Sequence, residues 1–151
     1  MNIQLGRNKS VRRVYGIDEI ALVPGCRTVD PEITDASTKI GGIELEIPII
    51  ASAMDGVVDV RTAVELSKFG SLGVLNLEGI QTRYEDPLPV LQKISLINKN
   101  EFVPLMQEIY SQPIKESLIT KRIQEIKKQG GIAAVSGTPL AAINFRKTIE
   151  K

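Results

Sequence analysis

Residues 47–54 form a run of almost entirely apolar side chains, with isoleucine at three of its first four positions. A run of this length is typical of a strand buried on both faces, as strands are in parallel sheets. Pro48 lies at its start, where a strand tolerates proline. The run is far shorter than the roughly 20 apolar residues that cross a bilayer. We therefore expect a parallel sheet and no membrane span.

The same strand signal recurs at 72–75 and 132–135, and helical patterns separate the three runs. Asp59 is a typical N-cap for a helix that begins at residue 60, and Gly70 is a typical residue at which such a helix ends. The predicted connecting helices are 60–69, 87–94, 102–110 and 114–129, and a further helix begins at Leu140. This order of repeated β-α units predicts an α/β fold with parallel strands.

The chain before the first apolar run has a different character. Residues 1–16 carry several basic and few large apolar side chains, which predicts an exposed basic arm before a domain over 17–151. Residues 17–23 end at a Pro-Gly pair, which indicates a short strand or an extended lead-in. Residues 33–46 alternate weakly around a Gly-Gly pair, a combination typical of a hairpin.

Composition excludes several kinds of chemistry. The chain has no histidine, one cysteine and a formal net charge of +1. Imidazole-based catalysis and histidine-ligated zinc are excluded, and Cys26 alone forms neither a disulfide framework nor a metal cage. We therefore expect no metal site in this chain. The balanced charge argues against nucleic acid as a partner, and the absence of a signal peptide pattern favours the cytoplasm.

Two architectures satisfy the pattern. Three parallel strands can form a small open sheet, but its edge strands would be apolar and unprotected. A β/α barrel typically has eight strands in about 250 residues, so this chain would supply about the first three β/α units. The pattern alone does not separate these alternatives.

Three ordered motifs carry a family resemblance. The lead-in 18–25 reads DEIALVPG, the first predicted strand with its end, 47–55, reads IPIIASAMD, and the second, 70–76, reads GSLGVLN. Together they resemble the amino-terminal part of the IMP dehydrogenase and GMP reductase family. The stretch 76–87, NLEGIQTRYEDP, is similar to an IMP dehydrogenase-related branch found in bacteria. The order of the motifs extends over nearly the whole chain, so the resemblance is more specific than any single motif.

The resemblance implies the amino-terminal part, about three β/α units, of a TIM (β/α)8 barrel. It implies a chain without the CBS modules that often follow the second unit, because the segment between Asn76 and Ile132 is too short for them. It also implies an oxidoreductase of guanine nucleotide biosynthesis that converts IMP and NAD to XMP and NADH through a cysteine adduct. The resemblance further implies a potassium ion in the full-length protein and a homotetramer.

Two candidate substrate residues follow from the resemblance. Ser52 and Met54 match first-strand positions that line the IMP pocket, at the strand end where barrel sites are built. Asn76 matches a second-strand position where many members have histidine, and it is the candidate cofactor-binding residue for NAD. The family's catalytic cysteine loop falls in later segments. We therefore assign no catalytic residue and expect an incomplete chain without the catalytic loop.

Other interpretations of single residues stay open. Cys26 lacks a visible activating neighbour other than Arg27, so we expect an incidental role. Asp55 is either a site carboxylate or a cap of the loop that follows it. Ser52 and Met54 could also be ordinary strand-end core residues. The basic side of the helix 114–129 predicts a solvated surface, which includes Lys121, Arg122, Lys127 and Lys128.

Alternative functions also remain. The chain could be a catalytically inactive, truncated barrel that binds a partner or another copy of itself through open strand edges. A GMP reductase-like activity is a second alternative within the family. A small α/β binding domain without affinity for purine nucleotides is the third.

Overall fold

The structure is a computed structural model that describes residues 2–150, and the chain divides between Asp35 and Ala36 into two compact units. The amino-terminal unit begins with an antiparallel hairpin of β1 (Asn2–Leu5) and β2 (Lys9–Arg12). All described side chains of the amino-terminal unit are exposed. The predicted division into an arm over 1–16 and a domain over 17–151 stays a prediction.

Between β2 and Asp35, the amino-terminal unit contains two single turns of 3-10 helix and no strand. These turns span Ile17–Glu19 and Pro31–Ile33. The Asp30 carboxylate accepts a hydrogen bond from the backbone N–H of Glu32 at 3.1 Å, which caps the second turn. The first turn occupies residues 17–19, within the segment 17–23 for which the sequence indicated a short strand or an extended lead-in, and no strand forms there.

The larger unit begins with the predicted hairpin, formed by β3 (Thr38–Ile40) and β4 (Ile43–Leu45). Its turn is made by Gly41 and Gly42, with φ angles of 57° and 86°. Positive φ values are open to glycine at little cost, which explains the Gly-Gly pair. The hairpin prediction is confirmed.

A three-stranded parallel sheet forms the centre of the larger unit. Its strands are β5 (Ile50–Ala51), β6 (Leu72–Asn76) and β7 (Ala134–Ser136), in the order β5-β6-β7. The helices are α1 (Val60–Lys68), α2 (Leu88–Leu96), α3 (Phe102–Ser111), α4 (Glu116–Lys128), α5 (Pro139–Asn144) and α6 (Arg146–Ile149). The α/β class with a parallel sheet is confirmed, and the predicted helices are present.

The strand predicted over 47–54 is wrong in length and burial. Only Ile50 and Ala51 are strand residues, and Ile49 is 61% exposed. Within the described sheet, β5 pairs only with β6, so its other edge makes no hydrogen bonds to a neighbouring strand. The side chains of β5 are therefore covered by few other residues. An apolar run is therefore not sufficient for a long buried strand, because strand length depends on the neighbouring strand.

The third strand is shifted from its predicted position. Ala134–Ser136 form β7, whereas 132–135 was predicted. Ile132 donates its backbone N–H to Ser67 Oγ of α1 at 2.9 Å, so this end of the run is bonded to a helix and not to β6. The side chains of Ala134 and Val135 are half-buried.

The core lies around β6. Leu75 is fully buried with Ala63, Val64 and Ile126, while Leu77 packs against residues of α4. At Gly73 an added Cβ would lie 2.9 Å from Ala63 Cα, so α1 reaches its close packing on β6 only because this residue is glycine. Gly73 thus has a specific packing role between β6 and α1.

Arg122 corrects the prediction of a solvated basic surface on α4. It is 7% exposed, and its guanidinium donates hydrogen bonds to the carbonyls of Gln81 at 3.1 Å and Glu85 at 2.7 Å. Glu125, one turn along, accepts a further bond at 3.1 Å. The arginine is buried because the carbonyls at the end of the loop after β6 need donors. Lys127 and Lys128 are exposed, as predicted.

Candidate functional site

The carboxyl ends of the three parallel strands lie at one edge of the sheet, which we call the carboxyl edge. The register pairs Ala51 with Gly73 and Asn76 with Ser136. Ser52 directly follows β5, and Asn76 is the last residue of β6. The two predicted site positions are therefore at the same end of the sheet, as a shared pocket requires.

The loop after β5 presents Ser52 and Met54 at the surface. Ser52 is exposed, and Met54 is 55% exposed. The Ser52 carbonyl accepts from the Met54 N–H at 2.8 Å, and the Met54 carbonyl accepts from the N–H groups of Val57 and Val58. Val58 is buried in the core and anchors the turn. Neither Ser52 nor Met54 is a core residue of the described chain.

Asp55 connects this loop to distant parts of the chain. Its Oδ1 accepts from the backbone N–H of Ile80 at 3.0 Å, and its Oδ2 accepts from the Tyr110 hydroxyl at 2.5 Å. An added Cβ at Gly79 would overlap the same carboxylate. Asp55 is thus a link between three segments, whereas the sequence suggested a site carboxylate or a local cap.

Tyr110 is the hydroxyl donor in this contact. Burial, the hydrogen bond to Asp55 and the charge of that carboxylate together raise the pKa of Tyr110 well above its usual value. The Arg83 guanidinium lies 5.7 Å from the centre of the tyrosine ring and opposes this shift weakly. The hydroxyl therefore stays protonated and available as a donor at neutral pH.

Asn76 and Glu78 organise the loop after β6. The Asn76 Oδ1 accepts from the Glu78 N–H at 3.0 Å, which uses one side of the carboxamide within its own turn. Glu78 accepts from the Thr138 backbone N–H at 2.6 Å and from the Thr138 hydroxyl at 3.3 Å. Thr138 in turn caps α5. The loops that follow β6 and β7 are therefore tied to each other.

The sequence interpretation did not identify Glu78, Arg83, Tyr110 or Thr138 as parts of this edge. Thr138 carried a usable signal, since threonine followed by proline is typical of a helix start. Tyr110 was assigned only to a helix. Its partner Asp55 lies 55 positions away, so no local pattern could have joined them.

A cavity of about 660 Å³ lies elsewhere in the same unit. Most of its lining comes from the β3-β4 hairpin and its ends, and it also contacts Gly70 and Ile132, which precede β6 and β7 at the amino ends of these strands. A cavity of about 380 Å³ lies beside Asp55, against Leu91 and Ile94 of α2. Because sites of β/α folds form at the carboxyl ends of strands, we take the carboxyl edge as the candidate site.

Other site types are not found within residues 2–150. No group of three or more potential metal ligands comes together there, and Cys26 is an exposed free thiol. No helix in the same range is long and apolar enough to cross a bilayer.

Comparison with protein families gives a match over residues 14–92 to the IMP dehydrogenase / GMP reductase domain. The chain belongs to the IMP dehydrogenase / GMP reductase family. The matched range contains the lead-in, β5, α1 and β6, which carry the three sequence motifs. The resemblance inferred from those motifs is confirmed.

Individual members of the family show similarity over different ranges. An uncharacterized oxidoreductase of Mycobacterium leprae is 31% identical over 142 residues, which is 91% of this chain and 38% of that protein. An inosine-5'-monophosphate dehydrogenase of Methanocaldococcus jannaschii is 40% identical over 65 residues, which is 43% of this chain and 13% of that protein. The chain thus spans well under half the length of these relatives.

A solved structure shows the same fold. The IMP dehydrogenase/GMP reductase-like protein from Corynebacterium glutamicum superposes with a TM-score of 0.78 at 24% sequence identity. The match covers 99% of this chain and 41% of that chain. At this identity, the likeness is evidence for the fold alone.

Proposed function

We propose that this chain provides part of the nucleotide-binding edge of an IMP dehydrogenase-like oxidoreductase, which converts IMP and NAD to XMP and NADH in guanine nucleotide biosynthesis. The observation that carries the proposal is the exposure of Ser52 and Met54 at the carboxyl edge. The family match supports it, since both residues lie in the matched range.

Each exposed side chain suits one part of a purine nucleotide. The Ser52 hydroxyl both donates and accepts hydrogen bonds, which suits the polar sugar and phosphate groups. The Met54 thioether is polarizable and adapts to a flat aromatic ring. Because Val58 anchors the turn, Met54 is presented without the flexibility of a long loop. We therefore assign substrate contact to Ser52 and Met54.

Asn76 is the candidate contact for NAD. When NAD is bound, it would accept the hydride in the proposed reaction. The Oδ1 of Asn76 is already used by the Glu78 N–H, so its amide NH₂ is the group suited to a cofactor oxygen or ring nitrogen. Asn76 would therefore donate a hydrogen bond to an acceptor atom of the cofactor. The chain's residues thus suit binding and orientation at this edge, and we assign no catalytic residue to them.

The remaining features of the proposal concern the whole protein. The three strands of the parallel sheet would be the first of a TIM (β/α)8 barrel, with about three β/α units in this chain. A homotetramer and a potassium ion follow only from the family resemblance, and a cytoplasmic location fits the single cysteine of the chain. An exposed basic arm over 1–16 and a barrel domain over 17–151 complete the proposed organisation.

The test is an IMP titration of the full protein, with NADH absorbance as the activity readout. Ser52→Ala and Met54→Ala should each weaken IMP binding about tenfold, since one lost contact of this kind is worth about 1.4 kcal/mol. Ser111→Ala is the matched control, because this exposed hydroxyl bonds to Glu108 of its own helix. GMP is titrated in parallel to test a GMP reductase-like activity.

The same titration separates a second candidate function. The exposed Ile49 and Ile50 on the open side of β5 favour a noncatalytic protein that binds a partner or itself. That function predicts no affinity for IMP, GMP or NAD. Equal nucleotide affinities in the wild type and both site variants would contradict our assignment of Ser52 and Met54.

A further inference from the structure

We propose that Tyr110 is a positioning residue of the carboxyl edge: through Asp55, it makes the placement of the Met54 loop depend on helix α3. For its effect on nucleotide binding, this inference rests on the proposed function. Its structural part stands on the contacts of Asp55, Gly79, Arg83 and Tyr110, which do not depend on any ligand.

The first observation is that both carboxylate oxygens of Asp55 have partners outside their own loop. Oδ1 accepts from the Ile80 N–H at 3.0 Å and Oδ2 from the Tyr110 hydroxyl at 2.5 Å. Asp55 directly follows Met54. A displacement of the Asp55 side chain therefore moves the backbone that presents Met54, because the two residues are adjacent in the chain.

The second observation is the close approach of the loop after β6 to the carboxylate. An added Cβ at Gly79 would overlap it, so the loop after β6 passes directly against Asp55. Ile80, the next residue, is fully buried and packs against Leu105 and Ile109 of α3. The loop after β5, the loop after β6 and α3 are thus in mutual contact at one point.

The third observation is that α3 is held firmly enough to position another group. Arg83 donates to the carbonyls of Glu78, at 3.1 Å, and Gln112, and its guanidinium lies over the Tyr110 ring. Tyr84 donates its hydroxyl to the Ile109 carbonyl at 3.1 Å. The carboxyl end of α3 is therefore bonded to the loop after β6 independently of Asp55.

These contacts separate the role of Tyr110 from that of a general core residue. Its ring contributes to the packing of α3, and its hydroxyl contributes only the bond to Asp55. Without the hydroxyl, Asp55 keeps its bond to Ile80 and loses the bond to α3. The expected result is a loop that is still folded but less restricted around Met54.

The experiment compares Tyr110→Phe with Tyr84→Phe in the full protein. Each variant removes one hydroxyl that bonds to another part of the same cluster, but only the first removes a bond to Asp55. Backbone hydrogen exchange is followed at Val57 and Val58, whose N–H groups close the Met54 turn. We expect about tenfold faster exchange there in Tyr110→Phe, because the lost bond is to a charged acceptor, and no change in Tyr84→Phe.

IMP titration of the same variants tests the functional part. Tyr110→Phe should weaken IMP binding about threefold or more, and Tyr84→Phe should not. In an Asp55→Asn background, Tyr110→Phe should have a smaller effect on exchange at Val57 and Val58, because the charged partner is already absent.

The outcomes distinguish this inference from the proposed function. If the wild type binds no purine nucleotide, the proposed function fails, and the exchange data still decide whether Tyr110 positions the loop. Unchanged exchange at Val57 and Val58 in Tyr110→Phe overturns the inference. Equal acceleration in both tyrosine variants also overturns it, since that would indicate general loosening of α3.

Discussion

At the scale of single residues, the carboxyl edge depends on polar side chains that bond to distant backbone or side-chain groups. Asp55 reaches Ile80 and Tyr110, Glu78 reaches Thr138, and Arg122 reaches the carbonyls of residues 81, 84 and 85. Buried or half-buried polar groups need such partners, so each of these side chains has a stringent geometric role. The partners are set by the fold, and the residue types alone do not identify them.

Arg122 gives the first prediction at this scale. Arg122→Met keeps much of the aliphatic bulk and removes the donors to several carbonyls, so the free energy of unfolding should fall by about 2 kcal/mol. Lys127→Met on the exposed side of α4 is the control and should change it by less than about 0.5 kcal/mol. Urea denaturation measures both values. Equal effects would contradict the buried role of Arg122.

Tyr110 gives a prediction about pH. Its pKa is raised in the folded protein, so the stabilisation from its neutral form is complete below the ordinary tyrosine pKa of 10.0. Above that pH the unfolded chain loses this proton while the folded chain keeps it, and stability falls. The free energy of unfolding should therefore decrease more steeply with alkaline pH in the wild type than in Tyr110→Phe. Urea denaturation at several pH values above neutral measures the two slopes, and parallel slopes would contradict the prediction.

At the scale of elements, α1 was predictable because its signals are local. Asp59 Oδ1 accepts from the Thr62 N–H at 2.7 Å, and Gly70 follows the helix with a φ of 67°. Both features depend on residues within a few positions of the helix ends. The hairpin of β3 and β4 was predictable for the same reason, since its turn requires glycine at two adjacent positions.

The cap of α1 leads to a third prediction. Asp59→Ala should lower the free energy of unfolding by about 1 kcal/mol, because one N–H of the first turn loses its acceptor. Asp59→Asn keeps an acceptor and should recover most of this loss. Thermal or urea unfolding provides the measurement. A full loss in Asp59→Asn would show that the charge, and not the hydrogen bond, carries the effect.

The strand predicted over 72–75 agrees with β6, but the other two parallel strands were predicted less well, because their ends depend on neighbours that are remote in the sequence. The run 47–54 has the composition of a long buried strand, yet only Ile50 and Ala51 pair with β6. The strand predicted over 132–135 begins two residues later and ends one residue later, since Ile132 bonds to Ser67 of α1. Composition set the location of each strand approximately, and the neighbouring elements decided its ends.

At the scale of the whole molecule, family and fold agree. The family model matches residues 14–92, and the solved relative from Corynebacterium glutamicum superposes over 99% of the chain. The chain spans 41% of that relative, and the described sheet has open edges at β5 and β7. Tests of the proposed activity therefore use the full protein.

Local capping, the backbone freedom of glycine and the ordered motifs were sufficient to predict the family, the α/β class, the helices, the Gly41-Gly42 turn and the helix end at Gly70. The short exposed β5, the burial of Arg122 and the bond between Asp55 and Tyr110 depend instead on contacts between segments that are far apart in the chain. A hydrogen bond between residues 55 and 110 forms only when sheet and helices have already brought them together, and nothing near either residue in the sequence specifies the other.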